Sequence, residues 1–103
     1  MAIRSTQIGV AETNLIVASK ETAILSIMFC NVTPNLDVLT VYCYESGGVA
    51  GPGNTIVKEY PITGFDTFLF TGDEKLILST GDRITAKVGV EDSITATLSY
   101  KEV

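Results

Sequence analysis

The chain predicts an all-β fold, an antiparallel β-sandwich or jelly roll of about eight strands, and three observations carry that reading. Short runs rich in Val, Ile, Thr, Tyr and Phe recur along the sequence, and such residues suit a pleated surface. Clusters of Gly, Pro, Asn and Asp separate them, each a turn signal with its own backbone reason. No apolar pattern keeps a helical period beyond a turn or so. With 103 residues the chain forms one domain, residues 1–103, around a single core.

In chain order, Ile3 to Val10 reads as an edge strand and Leu15 to Ala18 as a short strand between polar breaks. Two long apolar runs follow, Thr22 to Cys30 and Val38 to Tyr44, flanking the cluster Asn31-Val32-Thr33-Pro34-Asn35. Pro34 removes a donor and fixes φ there, so the two runs are expected to pair as a central antiparallel hairpin. Ser46 to Asn54 is a glycine-rich excursion between strands. Thr55 to Ile62 is a strand with Pro61 near its end, where a lost ladder donor costs least. Phe65 to Phe70 and Leu76 to Leu78 are expected as two strands, with a turn at Thr71-Gly72-Asp73-Glu74 between them. The last two runs alternate cleanly, Ile84, Ala86, Val88 and Val90 in one and Ile94, Ala96, Leu98 and Tyr100 in the other. A hairpin with the three-residue loop Glu91-Asp92-Ser93 would keep both apolar rows on one side.

The long runs do not alternate, and this bears on function. In the first, Ile24, Met28 and Cys30 fall on one face and Leu25, Ile27 and Phe29 on the other. Setting Cys30 opposite Asp37 brings Met28 to Leu39, Ser26 to Val41 and Ile24 to Cys43. The bulkier face, with Leu25, Ile27, Phe29, Val38, Tyr42 and Tyr44, is then expected to be the core. Ile24, Met28, Leu39 and Val41 are left as a face for a partner, in a chain too short to cover both sides itself. A homo-oligomer is the expected consequence.

Composition excludes several functions. Seven Lys and Arg against twelve Asp and Glu give a net charge of −5, and the cations are scattered, so no nucleic-acid partner is expected. Without a basic start and long apolar core at the N-terminus, the chain is expected to stay where it is made. Ala23 to Val32, the longest apolar run, is interrupted by Ser26 and Asn31 and falls short of the ~20 residues of a membrane helix. Histidine is absent, which removes the usual neutral base and the commonest metal ligand. No catalytic residue, cofactor or metal ligand is assigned, and the chain is not expected to be an enzyme. Cys30 and Cys43, about six ladder positions or ~20 Å apart in the trial register, are expected as unbridged thiols. Gly47 to Gly53 lacks the Gly-Lys-Ser/Thr ending of a phosphate loop. Asp73-Glu74, Asp82 and Glu91-Asp92 are expected as turn caps rather than cation ligands. Asn31-Val32-Thr33 matches a glycosylation triplet but is expected to be simply a turn.

From Leu15 onward the order of features resembles small β-sandwich virion proteins of tailed bacteriophages: capsid decoration or cement proteins, and related tail or fibre modules. The resemblance lies in "TNLIVASKETAILSIMFCN", then a glycine-rich middle, "EKLILSTGDRITAKV" and a closing "SITATLSYKE". These are strand and turn patterns, and no site residue is carried over. The resemblance implies a non-enzymatic, often trimeric protein located in the virion and bound to the major capsid protein or another virion protein. The alternative is a tail, fibre or baseplate module for attachment or carbohydrate binding. The chain departs from some cement proteins in having no long N-terminal arm.

Overall fold

A computed structural model describes residues 2–103, the side chains of 71–75 excepted. Its strands are β1 (Ala2–Ile8), β2 (Thr13–Val17), β3 (Thr22–Asn31), β4 (Asp37–Tyr44), β5 (Thr55–Ile62), β6 (Thr67–Leu78), β7 (Arg83–Val88) and β8 (Ile94–Glu102). Four form a sheet in the order β1-β8-β3-β6 and four a second sheet in the order β2-β7-β4-β5, and every neighbouring pair is antiparallel. Pairing is nested: β1 with β8, β2 with β7, β3 with β6 and β4 with β5. That is the strand order of a jelly roll, and the all-β sandwich expected from the sequence is what the chain forms.

Alternation builds the core where it is clean. In β8, Ile94, Ala96 and Leu98 are buried between the sheets while Thr95, Thr97 and Ser99 face outward. They pack with Ile8, Leu15, Ile27, Phe29, Leu39 and Ile84, all essentially inaccessible, and each such side chain is worth about 1.5–3 kcal/mol of transfer free energy. Where alternation fails, a bulge explains it. The ladders of β3 with both neighbours slip between Ile24 and Ser26, so Leu25 is an extra residue and Ile24 and Ile27 both point inward. A slip in β2 between Asn14 and Ile16 likewise buries the adjacent Leu15 and Ile16.

Strand pairing departs from expectation in two places. Thr22–Asn31 and Asp37–Tyr44 are not a hairpin: β3 pairs with β6 and β8, and β4 with β5 and β7. The connection between them crosses from one sheet to the other, a gap of about 10 Å, and no Cys30–Asp37 register exists. Nor do β7 and β8 pair, so Glu91-Asp92-Ser93 closes no hairpin; it belongs to another crossing, with Ser93 buried and Val90 exposed. Only β4 and β5 join as consecutive partners in one sheet, through the glycine-rich excursion, which ends in a short 3-10 turn, Pro52–Asn54. The two strands expected at Phe65–Phe70 and Leu76–Leu78 merge into one element, β6, which starts only at Thr67 and leaves Phe65 and Asp66 in the preceding turn; its ladder with β3 steps from Thr71 opposite Ser26 to Leu76 opposite Ile24. The side chains of the turn expected at Thr71–Glu74 lie outside the described residues.

Candidate interaction surfaces

The face expected to meet a partner divides. Ile24, Leu39 and Val41 lie in the core; Ile24 is turned in by the Leu25 bulge, and Leu39 and Val41 are the inward residues of β4. Val38, expected inside, is exposed instead. Met28 alone of the four residues faces out, 44% exposed.

Met28 sits in an outer surface of distinct character. Across the β1-β8-β3-β6 sheet one row reads Ser5, Thr97, Met28, Leu69, the next Gln7, Thr95, Cys30, Thr67, and on the other side Ile3, Ser99 and Ser26 align. None of these side chains is charged, and Ile3, Met28 and Leu69 are exposed. The opposite face of the sandwich carries charge and aromatics. There Glu12 Oε2 accepts from Thr85 Oγ1 (2.6 Å) and from the Tyr44 hydroxyl. The Arg83 guanidinium lies 5.8 Å from the Tyr44 ring centre, and the Lys87 ammonium 5.9 Å from that of Tyr42. The Thr85 and Tyr44 hydrogen bonds hold the Glu12 carboxyl below its ordinary range, and the same bond pushes the Tyr44 phenol up.

A third surface is one end of the sandwich, where the β1–β2, β3–β4, β5–β6 and β7–β8 connections meet. Two buried polar residues lock it. Asp37, at the start of β4, accepts from Val38 N (2.8 Å), Gly89 N (3.1 Å), Val90 N (2.9 Å) and the Ser93 hydroxyl. Burial pushes this carboxyl up, and the bonds from Ser93, Val38, Val90 and Gly89 outweigh it, so its pKa is lowered. Asn31, fully buried, spends both Nδ2 hydrogens on Asn35 O (2.8 Å) and Ile62 O (2.9 Å), while its Oδ1 accepts from Thr33 N and Thr33 Oγ1. The Asn31-Val32-Thr33 triplet therefore is a turn, as expected, with its amide committed. Backbone bonds tie the connections to one another: Val32 N to Ser93 O, Phe65 N to Thr33 O, Asn31 N to Asp66 O and Asp92 N to Ile8 O, all within 3.0 Å. Gly64 passes so close to Pro34 that a Cβ would overlap its carbonyl.

Large apolar side chains stand out from this locked end: Val10, Val32, Leu36, Phe65 and Val90 are all exposed. Phe65 is the sharpest case. It is 71% exposed and has φ = +62° in a turn closed by Asp66 N to Thr63 O, a conformation that favours Gly or Asn and costs an L residue about 1–2 kcal/mol. Val10, Phe65 and Val90, expected as strand residues, lie beyond the strands in connections, since β1 ends at Ile8, β6 starts at Thr67 and β7 ends at Val88; the signal for this is an apolar residue next to turn formers, as in Thr63-Gly64-Phe65-Asp66.

An opening of about 550 Å³ lies at the opposite end, lined by Cys43, Tyr44, Glu45, Val49, Leu76 and Asp82 among others. Burial, with Asp82 nearby, pushes the Cys43 thiol up and away from reactive thiolate. Cys30 and Cys43 stand on different sheets, unbridged. Among the described residues, no group of three or more acidic or sulfur side chains is placed to hold a metal. Asp82 accepts from Ser79 N and Glu91 from Val10 N, each capping a connection at its own end of β7. Asp73 and Glu74 lie among the residues whose side chains are not described. No helix among the described residues is long and apolar enough to cross a membrane.

No family model, curated protein or solved structure matches this chain.

Proposed function

We infer that the chain is a non-enzymatic structural protein of a virion that binds and stabilises a phage capsid, as a decoration or cement protein does. The observation that carries this reading is the run of uncharged rows across the middle of the outer face of the β1-β8-β3-β6 sheet, from Ile3, Ser99 and Ser26 through Ser5, Thr97, Met28 and Leu69 to Gln7, Thr95, Cys30 and Thr67, in a chain whose net charge is −5. Water-facing sheets are normally studded with charge, and the centres of lasting interfaces are depleted of it. A surface of Ser, Thr, Met and Leu is suited to permanent cover. The opposite face is studded with charge of both signs, Glu12, Arg83 and Lys87 among them, so the uncharged rows are where copies of the chain meet, and the resemblance in strand and turn order implies a trimer. Jelly rolls recur in capsid and lectin domains, which is an analogy of fold and adds only to the prior. The major capsid protein, or another virion protein, is the remaining partner.

Light scattering tests the self-association: the purified chain should have the mass of an oligomer, and Met28→Asp should reduce it to a folded monomer. Wild-type chain that remains monomeric at high concentration and beside its particles would defeat the reading. Labelling on the tail rather than the head would transfer the chain to the tail, fibre or baseplate modules.

A further inference from the structure

All four connections at the Asp37 end expose at least one large apolar residue: Val10, Val32 and Leu36, Phe65, and Val90. At the opposite end, among the described residues, Val49 of the β4–β5 excursion is the one such residue in a connection, with Ile77 of β6 and the terminal Val103 exposed beside it. Single exposed apolar residues are ordinary on any surface, but their gathering at one end marks a contact site. The hydrogen bonds of Asp37 and Asn31 and the backbone ties between connections fix these tips before any partner arrives, which lowers the entropic cost of binding. Phe65 adds an independent sign. An aromatic held out in a left-handed turn is strain without benefit to the isolated fold, and such strain gathers at functional positions.

Charge selects the occupant. Residues 9–12, 32–36, 63–66 and 89–93 contain no Lys or Arg, and with the Glu12 carboxylate drawn onto the β2-β7-β4-β5 face by Thr85 and Tyr44 they leave Asp66, Glu91 and Asp92 at the loop end. A second copy presenting the same end would oppose carboxylate to carboxylate, and an anionic bilayer would repel it. We propose that this loop end docks on a different protein, into an apolar depression bordered by Lys and Arg; on the reading given above, which this proposal rests on, that protein is the virion shell protein. The uncharged rows of the sheet face and the acidic, apolar loop end thus serve two partners.

The test uses particles stripped of the chain and measures rebinding of purified wild type and variants. Phe65→Gly relieves the left-handed strain, so it should fold with an unchanged or higher melting temperature and yet bind at least about tenfold more weakly. Leu36→Ser should weaken binding similarly. Asp92→Asn, which tolerates the φ of +61° at this position, should weaken binding and flatten its salt dependence, while Val49→Ser at the far end should bind as wild type does. If wild type rebinds and the Phe65, Leu36 and Asp92 variants match it, the docking proposal is overturned and the virion reading stands. If wild type itself does not rebind, both fall. Binding of wild type to phosphatidylcholine–phosphatidylserine vesicles that Phe65→Gly abolishes would overturn the proposal in favour of a membrane.

Discussion

The Ser93 hydroxyl donates to the Asp37 carboxylate, joining the first residue of β4 to the connection that leaves β7 for the other sheet. Asp37 also accepts three backbone N–H groups, so one side chain satisfies the donors of a crossing that no ladder supplies.

Asp37→Ala should therefore cost at least about 3 kcal/mol, because several buried donors lose their acceptor at once. Asp37→Asn should recover little of this, since its amide turns a donor toward donors. Chemical denaturation of both variants checks the order. If either unfolds at the wild-type midpoint, the carboxylate is not the lock.

Acid should weaken the fold through the same group. The folded carboxyl lies below the ordinary aspartate value of 3.8, so its contribution is complete above that pH and is lost as pH falls through the folded value. Stability measured from pH 6 downward should drop below about pH 4, and Asp37→Asn should remove that part of the slope. A slope unchanged in the variant would place the acid sensitivity elsewhere.

Val41→Asp and Met28→Asp should fail differently, although both residues were expected on one partner face. Val41 is 1% exposed, and an unpaired carboxylate there should destabilise by about 3–5 kcal/mol. Met28→Asp should leave the far-ultraviolet spectrum intact, change folding stability by less than about 1 kcal/mol, and dissociate the oligomer proposed above. Circular dichroism with light scattering separates the two effects. Unfolding by both would mean that the β3 face is not free.

Gly64→Ala should cost about 1–3 kcal/mol, since the added methyl meets the Pro34 carbonyl and the β3–β4 and β5–β6 connections must part. Its melting temperature should fall while Gly53→Ala, with open space around it, should show no such loss. Equal melting of the two variants would contradict the close approach.

What the sequence made legible follows from the range of the forces involved. Strand existence is local: alternation in β8, β-branched residues in β4 and Pro61 near the end of β5 were readable, and Thr55 to Ile62 matches the strand at both ends. Pairing is not local. Six of the seven connections change sheets, and the turn residues of such a crossing, Asn31 to Asn35 or Gly89 to Ser93, resemble those of a hairpin. The Leu25 bulge hid a second fact, for it turned one inward row into an apparent apolar surface on both sides. Of the four residues expected on a partner face, only Met28 faces out. The loop tips were not legible as tips because Val10, Phe65 and Val90 continue the apolar pattern of the neighbouring strands, and only the topology brings them and Leu36 to one end.

The central claim, that this chain is a structural component of a virion, is tested most directly by imaging purified particles with the chain tagged at its C-terminus, whose last residue is exposed. The account expects regular label over the head shell, with many copies per particle. Particles that assemble and survive purification with no tagged chain on head or tail would contradict it.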